Sequence, residues 1–247
     1  MILSLAVVCE AAADQQTGCG LADRVLLAEV GWLEEEMLPH CRRWRGFDPG
    51  QTHLLWKNVA PLARSHNIRA HGHFDGKPGA PDAQNARLAL LLIHASTHTA
   101  HAVVLLRDDD RQTERRAGLE QARSSSTIGV PVVVGLAHPK RECWVLAGFE
   151  PRDAHEADRV AELTKDLGFD PRQQAERLTA RRKGEERDAK RVVELLTGGD
   201  WDRQAACWNH ADLELLDARG RKTGLTDYLH ELRDRLVPLI RRGPGAS

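Results

Sequence analysis

Apolar runs alternate with stretches of helical periodicity along the first half of the chain. Continuous apolar runs, typical of buried strands in a parallel sheet, occupy residues 2–8, 102–106 and 130–136. Helical spacing of apolar residues occurs at residues 21–37, 54–63, 88–93 and 114–123. Residues 9–20 are predicted to form a loop, and Asp82 is predicted to cap the helix around residues 88–93. The alternation predicts an α/β fold with a mostly parallel sheet flanked by helices.

The second half of the chain has a different pattern. From Pro139 onwards the periodicity is helical and no segment has a convincing strand pattern, with predicted helices at residues 154–167, 188–196 and 225–240. We therefore expect three regions: an α/β domain at 1–150, a helical C-terminal elaboration at 151–241 and a flexible tail at 242–247.

Composition narrows the class of protein. With 247 residues the chain can bury a substantial core, and a formal net charge of -1 provides no global basic field, so nucleic acid would have to bind a local patch. The five cysteines lack C-x-x-C spacing and indicate reduced thiols. The apolar start is too short to span a bilayer and lacks the basic flank of a signal peptide. We expect a soluble, cytoplasmic protein without a membrane partner.

Acidic residues follow two of the predicted strands. Glu10 comes after the first strand, and the sequence HAVVLLRDDD ends the central strand in three acids. Along an extended chain Asp108 and Asp110 share one face while Asp109 points away. Parallel strands that end side by side would bring these acids to one edge of the sheet, where carboxylates suit Mg²⁺ and phosphoryl-transfer chemistry. The alternative is a solvated acidic turn.

These motifs resemble those of the Toprim superfamily, in which a strand-end Glu is followed later by a strand-end D-x-D. The matching segments are VVCEAAAD, VVLLRDDD and PKRECWVLAGF, and the last is similar to a segment of small bacterial Toprim-like proteins related to OLD-family nucleases. The resemblance covers residues 1–150. It implies a Toprim-like sheet with Glu10, Asp108 and Asp110 as principal ligands of Mg²⁺ or Mn²⁺, and Asp14 and Glu142 as additional metal ligands.

The chain departs from the family pattern at three places. Ala11 stands where the family commonly has Gly. The acid expected a few residues after Glu10 is Asp14 by spacing, or Asp23 if QQTGCGLA is an inserted loop. Arg107 precedes the acids in place of an apolar residue, and it could neutralise Asp109 or contact phosphate.

The resemblance implies a metal-dependent endonuclease and suggests a role in antiviral defence. Because the chain has no P-loop, any ATPase would be a separate partner protein. The substrate would be DNA or RNA, and self-association is left open. A topoisomerase is disfavoured because the single tyrosine, Tyr228, lies in the C-terminal region. The alternative function is a non-catalytic Toprim-like subunit that binds an ATPase or nucleic acid.

A basic stretch in the C-terminal region offers a nucleic-acid surface. Residues 172–191 contain eight basic and four acidic residues. The candidate phosphate contacts are Arg181, Arg182 and Lys183. Related nucleases use a basic residue near the scissile phosphate, a catalytic role for which the candidates are Lys183 and Lys190. The alternative is a solvated helix with pairs such as Glu186 with Lys190.

Overall fold

The structure is a computed structural model that describes residues 2–112, 114–180 and 182–241. The chain forms two compact units. The first contains the chain up to Leu136 together with the C-terminal segment that starts at His230, and the second is Ala137–Leu229.

The main sheet belongs to the first unit. The strands are β1 (Leu3–Cys9), β2 (Arg42–Arg45), β3 (Leu54–Leu55), β4 (His73–Phe74), β5 (Lys77–Pro78), β6 (Ala102–Asp108) and β7 (Val132–Ala137). The parallel sheet has the order β2-β1-β6-β7, and β3 also pairs with β1. A separate antiparallel hairpin joins β4 and β5. The predicted α/β fold with a parallel sheet is confirmed.

Helices flank the sheet and make up most of the second unit. They are α1 (Ala12–Glu29), α2 (Leu38–Cys41), α3 (Trp56–Ser65), α4 (Ala83–Ala95), α5 (Arg115–Ser124), α6 (Glu142–Ala147), α7 (Ala154–Leu167), α8 (Ala189–Thr197), α9 (Trp201–Asn209), α10 (Leu213–Gly220), α11 (Leu225–Arg235) and α12 (Val237–Arg241). Short 3-10 turns occur at Glu35–Met37 and Ala175–Arg177. The predicted helical C-terminal region is confirmed.

Both faces of the sheet are buried, which explains why its strands are continuously apolar. Ala6 and Val8 of β1 pack with Val103 and Leu105 of β6 in a cluster that includes buried side chains of α3, α4 and α5. The alternate residues of β1 point to the other face, and α1 packs against β1 and β6. Each fully buried aliphatic side chain contributes about 1.5–3 kcal/mol, so this two-sided core anchors the strand ends.

Helix α1 begins earlier than the sequence pattern predicts. The loop predicted at residues 9–20 is wrong, because α1 starts at Ala12. The side chain of Asp14 accepts hydrogen bonds from the backbone N–H groups of Glu10 and Ala11, at 3.2 and 2.8 Å. These bonds satisfy donors at the helix start that would otherwise lack partners. The helix therefore follows the first strand after a turn of two residues.

The boundary between the units falls after Leu136, whereas the sequence predicted a boundary at residue 150. The physical reason is that α6, which lies before residue 150, packs against α8, α9 and α10 of the helical unit. The predicted tail, residues 242–247, lies outside the described residues. Within the part of the chain that the structure describes, no helix is both long and apolar enough to cross a membrane.

Candidate functional site

The first and the central strand end side by side. β1 and β6 are parallel neighbours with Val8 opposite Leu105. Continuing this register by two residues, from 8 to 10 and from 105 to 107, places Glu10 beside Arg107. The acids after the two strands therefore lie at the carboxyl-terminal edge of the sheet, where α/β proteins commonly bind ligands.

Three acids and two arginines form a connected group at this edge, which we call the acid–arginine cluster: Glu10, Asp82, Arg107, Asp110 and Arg115. Arg107 Nη1 lies 3.2 Å from Glu10 Oε1. The Nε and Nη2 groups of Arg107 donate to the two oxygens of Asp82 at 3.2 and 3.3 Å. Arg107 thus bridges the end of β1 and the start of α4.

Arg115 is the buried member of the cluster. It comes from the first turn of α5, and its Nη1 donates to the backbone carbonyl of Asp108 at 2.6 Å and to Asp110 Oδ2 at 3.1 Å. Its Nε lies 3.2 Å from Asp82 Oδ2, and its Nη1 lies 4.0 Å from Glu10 Oε1. Arg115 therefore ties the turn after β6 to the other acids.

A tryptophan holds Arg107 in place. The indole Nε1 of Trp56 donates to the backbone carbonyl of Leu106 at 2.7 Å. The guanidinium carbon of Arg107 lies 5.4 Å from the centre of the Trp56 ring, within the range of a cation–π contact. Because Trp56 is buried, the position of Arg107 is set by packing as well as by its ion pairs.

The turn after β6 has an unusual backbone. Asp110 and Arg111 have φ values of 45° and 65°, in the left-handed region that side chains other than glycine rarely adopt. Asp109 is buried, and its Oδ1 accepts a hydrogen bond from the backbone N–H of Arg111 at 2.8 Å. The carboxylates that pair with Arg107 are thus Glu10 and Asp82, while Asp109 stabilises the turn.

The carboxyl group of Glu10 has a raised pKa. Burial is the largest cause, the charges of Asp110 and Asp14 raise the pKa further, and Arg107 and Arg115 lower it. The two guanidinium groups therefore offset only part of the cost of crowding acids at this strand end.

The structure places Asp14, and not Asp23, beside Glu10. Asp14 caps α1 through the N–H groups described above. Asp23 forms a two-point ion pair with Arg42 and accepts a hydrogen bond from Trp44 Nε1 at 3.3 Å. Asp23 therefore links α1 to β2.

Sequence reasoning missed the roles of Asp82 and Arg115. Asp82 precedes α4 as predicted, but its side chain makes no cap hydrogen bond and its φ is 66°. Its carboxylate pairs with both cluster arginines instead, so the predicted side-chain cap is wrong. The available signal was charge balance, because a run of three acids at a strand end requires nearby cations.

The other predicted site residues lie in the helical unit. Glu142 is at the start of α6 and pairs with Arg141 at 3.1 Å. Arg182 and Lys183 are exposed in the segment before α8, and Lys190 is exposed in the first turn of α8. Arg181 lies outside the described residues.

Two arginines of the basic stretch, and the single tyrosine, are held by contacts with aromatic rings. Arg177 and Arg187 lie over the Phe169 ring, with guanidinium carbons 4.1 and 5.7 Å from the ring centre. The Tyr228 ring is fully buried and stacks on Trp144 at 5.1 Å between centres. A buried, stacked tyrosine is poorly placed to act as a nucleophile towards nucleic acid.

The donor chemistry of these acids suits a hard divalent ion, since Glu10, Asp14 and Asp110 offer carboxylate oxygens and the charges of Asp14 and Asp110 raise the pKa of Glu10. The spatial arrangement of these side chains, however, differs from that of a metal site. Within residues 2–112, 114–180 and 182–241, no three His, Cys, Asp or Glu side chains are gathered as metal ligands. The oxygens of Glu10 and Asp110 face arginine instead.

Fold and site define the chain as an α/β protein whose parallel sheet carries an acid–arginine cluster at its carboxyl-terminal edge. No protein-family model, curated protein or solved structure matches it.

Proposed function

We propose that the protein is a Toprim-like nuclease that hydrolyses phosphodiester bonds of DNA or RNA with Mg²⁺ or Mn²⁺. One observation carries this proposal: Glu10 and the turn from Asp108 to Asp110 follow adjacent parallel strands. The Toprim resemblance requires this adjacency, since strands far apart in the sheet could not bring their acids to one metal ion.

The acids and arginines have complementary roles in the proposed reaction. Glu10, Asp108 and Asp110 would hold the metal, with Asp14 as a further ligand. Glu142, the other ligand that the resemblance implies, lies in the helical unit and pairs with Arg141. When bound, the metal would supply charge neutralisation at the scissile phosphate and an activated water.

The arginines are suited to the substrate. Arg107 and Arg115 present guanidinium groups beside the acids, and guanidinium binds phosphate oxygens through paired N–H donors. We assign them to the phosphodiester, where they stabilise the negative charge that develops during hydrolysis. Lys183 and Lys190, with Arg181 and Arg182, are the proposed basic contacts of the helical unit to nucleic acid.

A second function, of another class, is a non-catalytic subunit that binds an ATPase partner or nucleic acid. The observation that favours it is that Arg107 and Arg115 already form ion pairs with the cluster acids. A role in antiviral defence is proposed for either function on the resemblance alone.

Cleavage assays of the full-length protein test the first function. Supercoiled plasmid, single-stranded DNA and structured RNA are incubated with Mg²⁺, Mn²⁺ or EDTA, and the wild type is compared with Glu10→Gln and Asp110→Asn. Because both residues would bind the metal, we expect each variant to lose cutting by about a hundredfold or more. The matched control is Glu36→Gln, an exposed acid outside the cluster, which should cut like the wild type.

Thermal unfolding with and without metal separates the two functions. A nuclease should be stabilised by Mn²⁺ or Mg²⁺, and Asp110→Asn should abolish that shift while Glu36→Gln keeps it. Metal binding without cleavage of any substrate would favour a nuclease that needs its partner. Neither cleavage nor metal-dependent stabilisation would reject the nuclease and favour the non-catalytic subunit.

A further inference from the structure

An open cleft lies beside the amino-terminal end of β1, at the end of the sheet opposite the acid–arginine cluster. Its volume is about 710 Å³, within the range of pockets that hold small molecules. Three segments line it: the start of β1, β2 with the loop that follows, and residues 97–99 before β6. None of these segments contributes to the acid–arginine cluster.

A buried arginine, Arg45, forms part of the wall of this cleft. Only 6 % of its surface is exposed. Its Nε donates to Ser4 Oγ at 3.0 Å and its Nη1 to the carbonyl of Gly46 at 2.7 Å. Its Nη2 donates to Ser96 Oγ at 3.1 Å and to the carbonyl of His98 at 2.6 Å. All four acceptors are neutral.

Arg45 therefore carries a charge that no acid balances. Throughout the described ranges, no carboxylate lies within ion-pair distance of its guanidinium group, and burial alone lowers its pKa. Removing a cation from water without a counter-ion is costly, even when its N–H groups are hydrogen-bonded. An anion bound in the cleft would recover part of that cost, which no carboxylate of the described residues does.

The remaining lining suits an anion that carries an organic group. Arg43 is exposed and adds a second guanidinium, while Thr97 and Thr99 contribute exposed hydroxyl groups. The acid in the lining is Asp48, whose Oδ2 accepts from Gln51 Nε2 at 2.9 Å within its own loop. The exposed Ile2 and Pro49 supply apolar surface.

We propose that this cleft binds a small phosphorylated ligand of nucleotide size. Its phosphate lies between Arg43 and Arg45, and its organic part lies along Ile2 and Pro49. Two guanidinium groups balance the two negative charges of a phosphate monoester. Arg43 presents its planar donors to the phosphate oxygens, while Arg45, with four of its five N–H groups already bonded, contributes mainly its charge. The site is separate from the proposed nuclease centre and does not depend on that proposal.

Isothermal titration calorimetry of the full-length protein tests this site. The probes are inorganic phosphate, pyrophosphate, AMP and ADP, with adenosine as the uncharged control. We expect AMP or ADP to bind with a Kd below about 1 mM and adenosine to bind at least about tenfold more weakly. Inorganic phosphate binding as tightly as AMP would overturn the assignment of an organic group to the cleft.

Two exposed positions provide variants that do not depend on the buried arginine. Arg43→Ala removes one guanidinium and Thr97→Glu places a negative charge in the cleft, so each should weaken AMP and ADP binding by about tenfold or more. The matched control is Arg64→Ala, which removes an exposed cation of α3 outside the cleft and should leave the Kd unchanged. Arg45→Lys should also weaken binding, because lysine cannot make the four hydrogen bonds that hold the positive charge in the wall of the cleft.

The opposite results overturn the proposal. If no phosphorylated probe binds at 10 mM, then Arg45 only clamps β2 to the neighbouring loops. The affinities of true binding sites are commonly on the order of a thousand times tighter than this concentration. If Arg43→Ala and Thr97→Glu bind like the wild type, the anion occupies another part of the molecule.

Discussion

Arg115 connects the acids of the cluster more extensively than any other side chain described above, so its removal is the most informative perturbation of the site. We consider Arg115→Met, which keeps an unbranched side chain of similar length and removes the charge. The substitution deletes a 2.6 Å hydrogen bond to the Asp108 carbonyl and contacts of 3.1 and 3.2 Å to Asp110 and Asp82.

The expected magnitude follows from what each partner retains. Asp82 keeps its ion pair with Arg107, and Asp110, whose side chain is 43 % exposed, can turn to water. The Asp108 carbonyl loses a charged donor, and a hydrogen bond to a charged group contributes about 1.5–3 kcal/mol. Together with the weakened pairing of Asp82 we expect the free energy of unfolding to fall by about 2–4 kcal/mol.

Urea unfolding followed by circular dichroism measures this change, and hydrogen exchange of peptides from β1 and β6 locates it. The control is Arg116→Met at the next position, where the ion pair with Glu120 is 3.7 Å long and partly exposed. Such pairs contribute about 0–1 kcal/mol. Equal stability of the two variants, or unchanged exchange in β6, would refute the assignment of Arg115 as the connecting residue.

The same variant bears on the proposed metal site. If Mg²⁺ or Mn²⁺ binds Glu10 and Asp110, Arg115 competes with it for these oxygens. Arg115→Met should then be stabilised by metal more than the wild type is, while Arg116→Met should behave like the wild type.

Two further predictions concern the packing of each unit. Arg203 donates to both oxygens of Glu156 at 2.8 Å and lowers its pKa from 4.5 to about 2, so the pair stabilises the fold fully above pH 4.5 and loses its effect as the pH falls towards 2. Between pH 6 and pH 2, wild-type unfolding free energy should therefore drop by about 3 kcal/mol more than that of Glu156→Gln, and parallel pH profiles would contradict this. Gly118→Ala should destabilise the protein by about 1–3 kcal/mol in urea unfolding, although Ala has the better helix propensity. The reason is that the Cβ of Ala would lie 1.8 Å from the Pro81 carbonyl oxygen. A gain in stability would show that α4 and α5 separate easily.

The local pattern of apolar and polar residues was sufficient to predict the α/β architecture. The apolar runs at 102–106 and 130–136 correspond to β6 and β7 because strands covered on both faces exclude polar residues. The predicted helix at 154–167 matches α7, Ala154–Leu167, where Asp153 caps the start and Gly168 ends the helix in the left-handed conformation. These features depend on neighbouring residues and can be predicted from the sequence alone.

The start of α1 was mispredicted because it depends on a side-chain cap and on a contact with a distant part of the chain. The segment after Glu10 has weak helical periodicity, and its helix depends on the Asp14 cap and on burial of Thr17 and Gly18 beneath the sheet. Gly18 fits there because a Cβ would lie 2.4 Å from the Leu106 side chain, a contact between distant parts of the chain.

Only the tertiary structure decided which charges meet. Strand-end position predicted that Glu10 and the acids after β6 would lie at one edge, because parallel strands end together. That Asp82 and Arg115 join them, and that Arg45 is buried with no carboxylate of the described residues beside it, depends on how α4, α5 and the loops fold back onto the sheet. Ion pairs join residues far apart in sequence through geometry that no local pattern encodes, which is why the cluster arginines and the anion cleft emerged only from the fold.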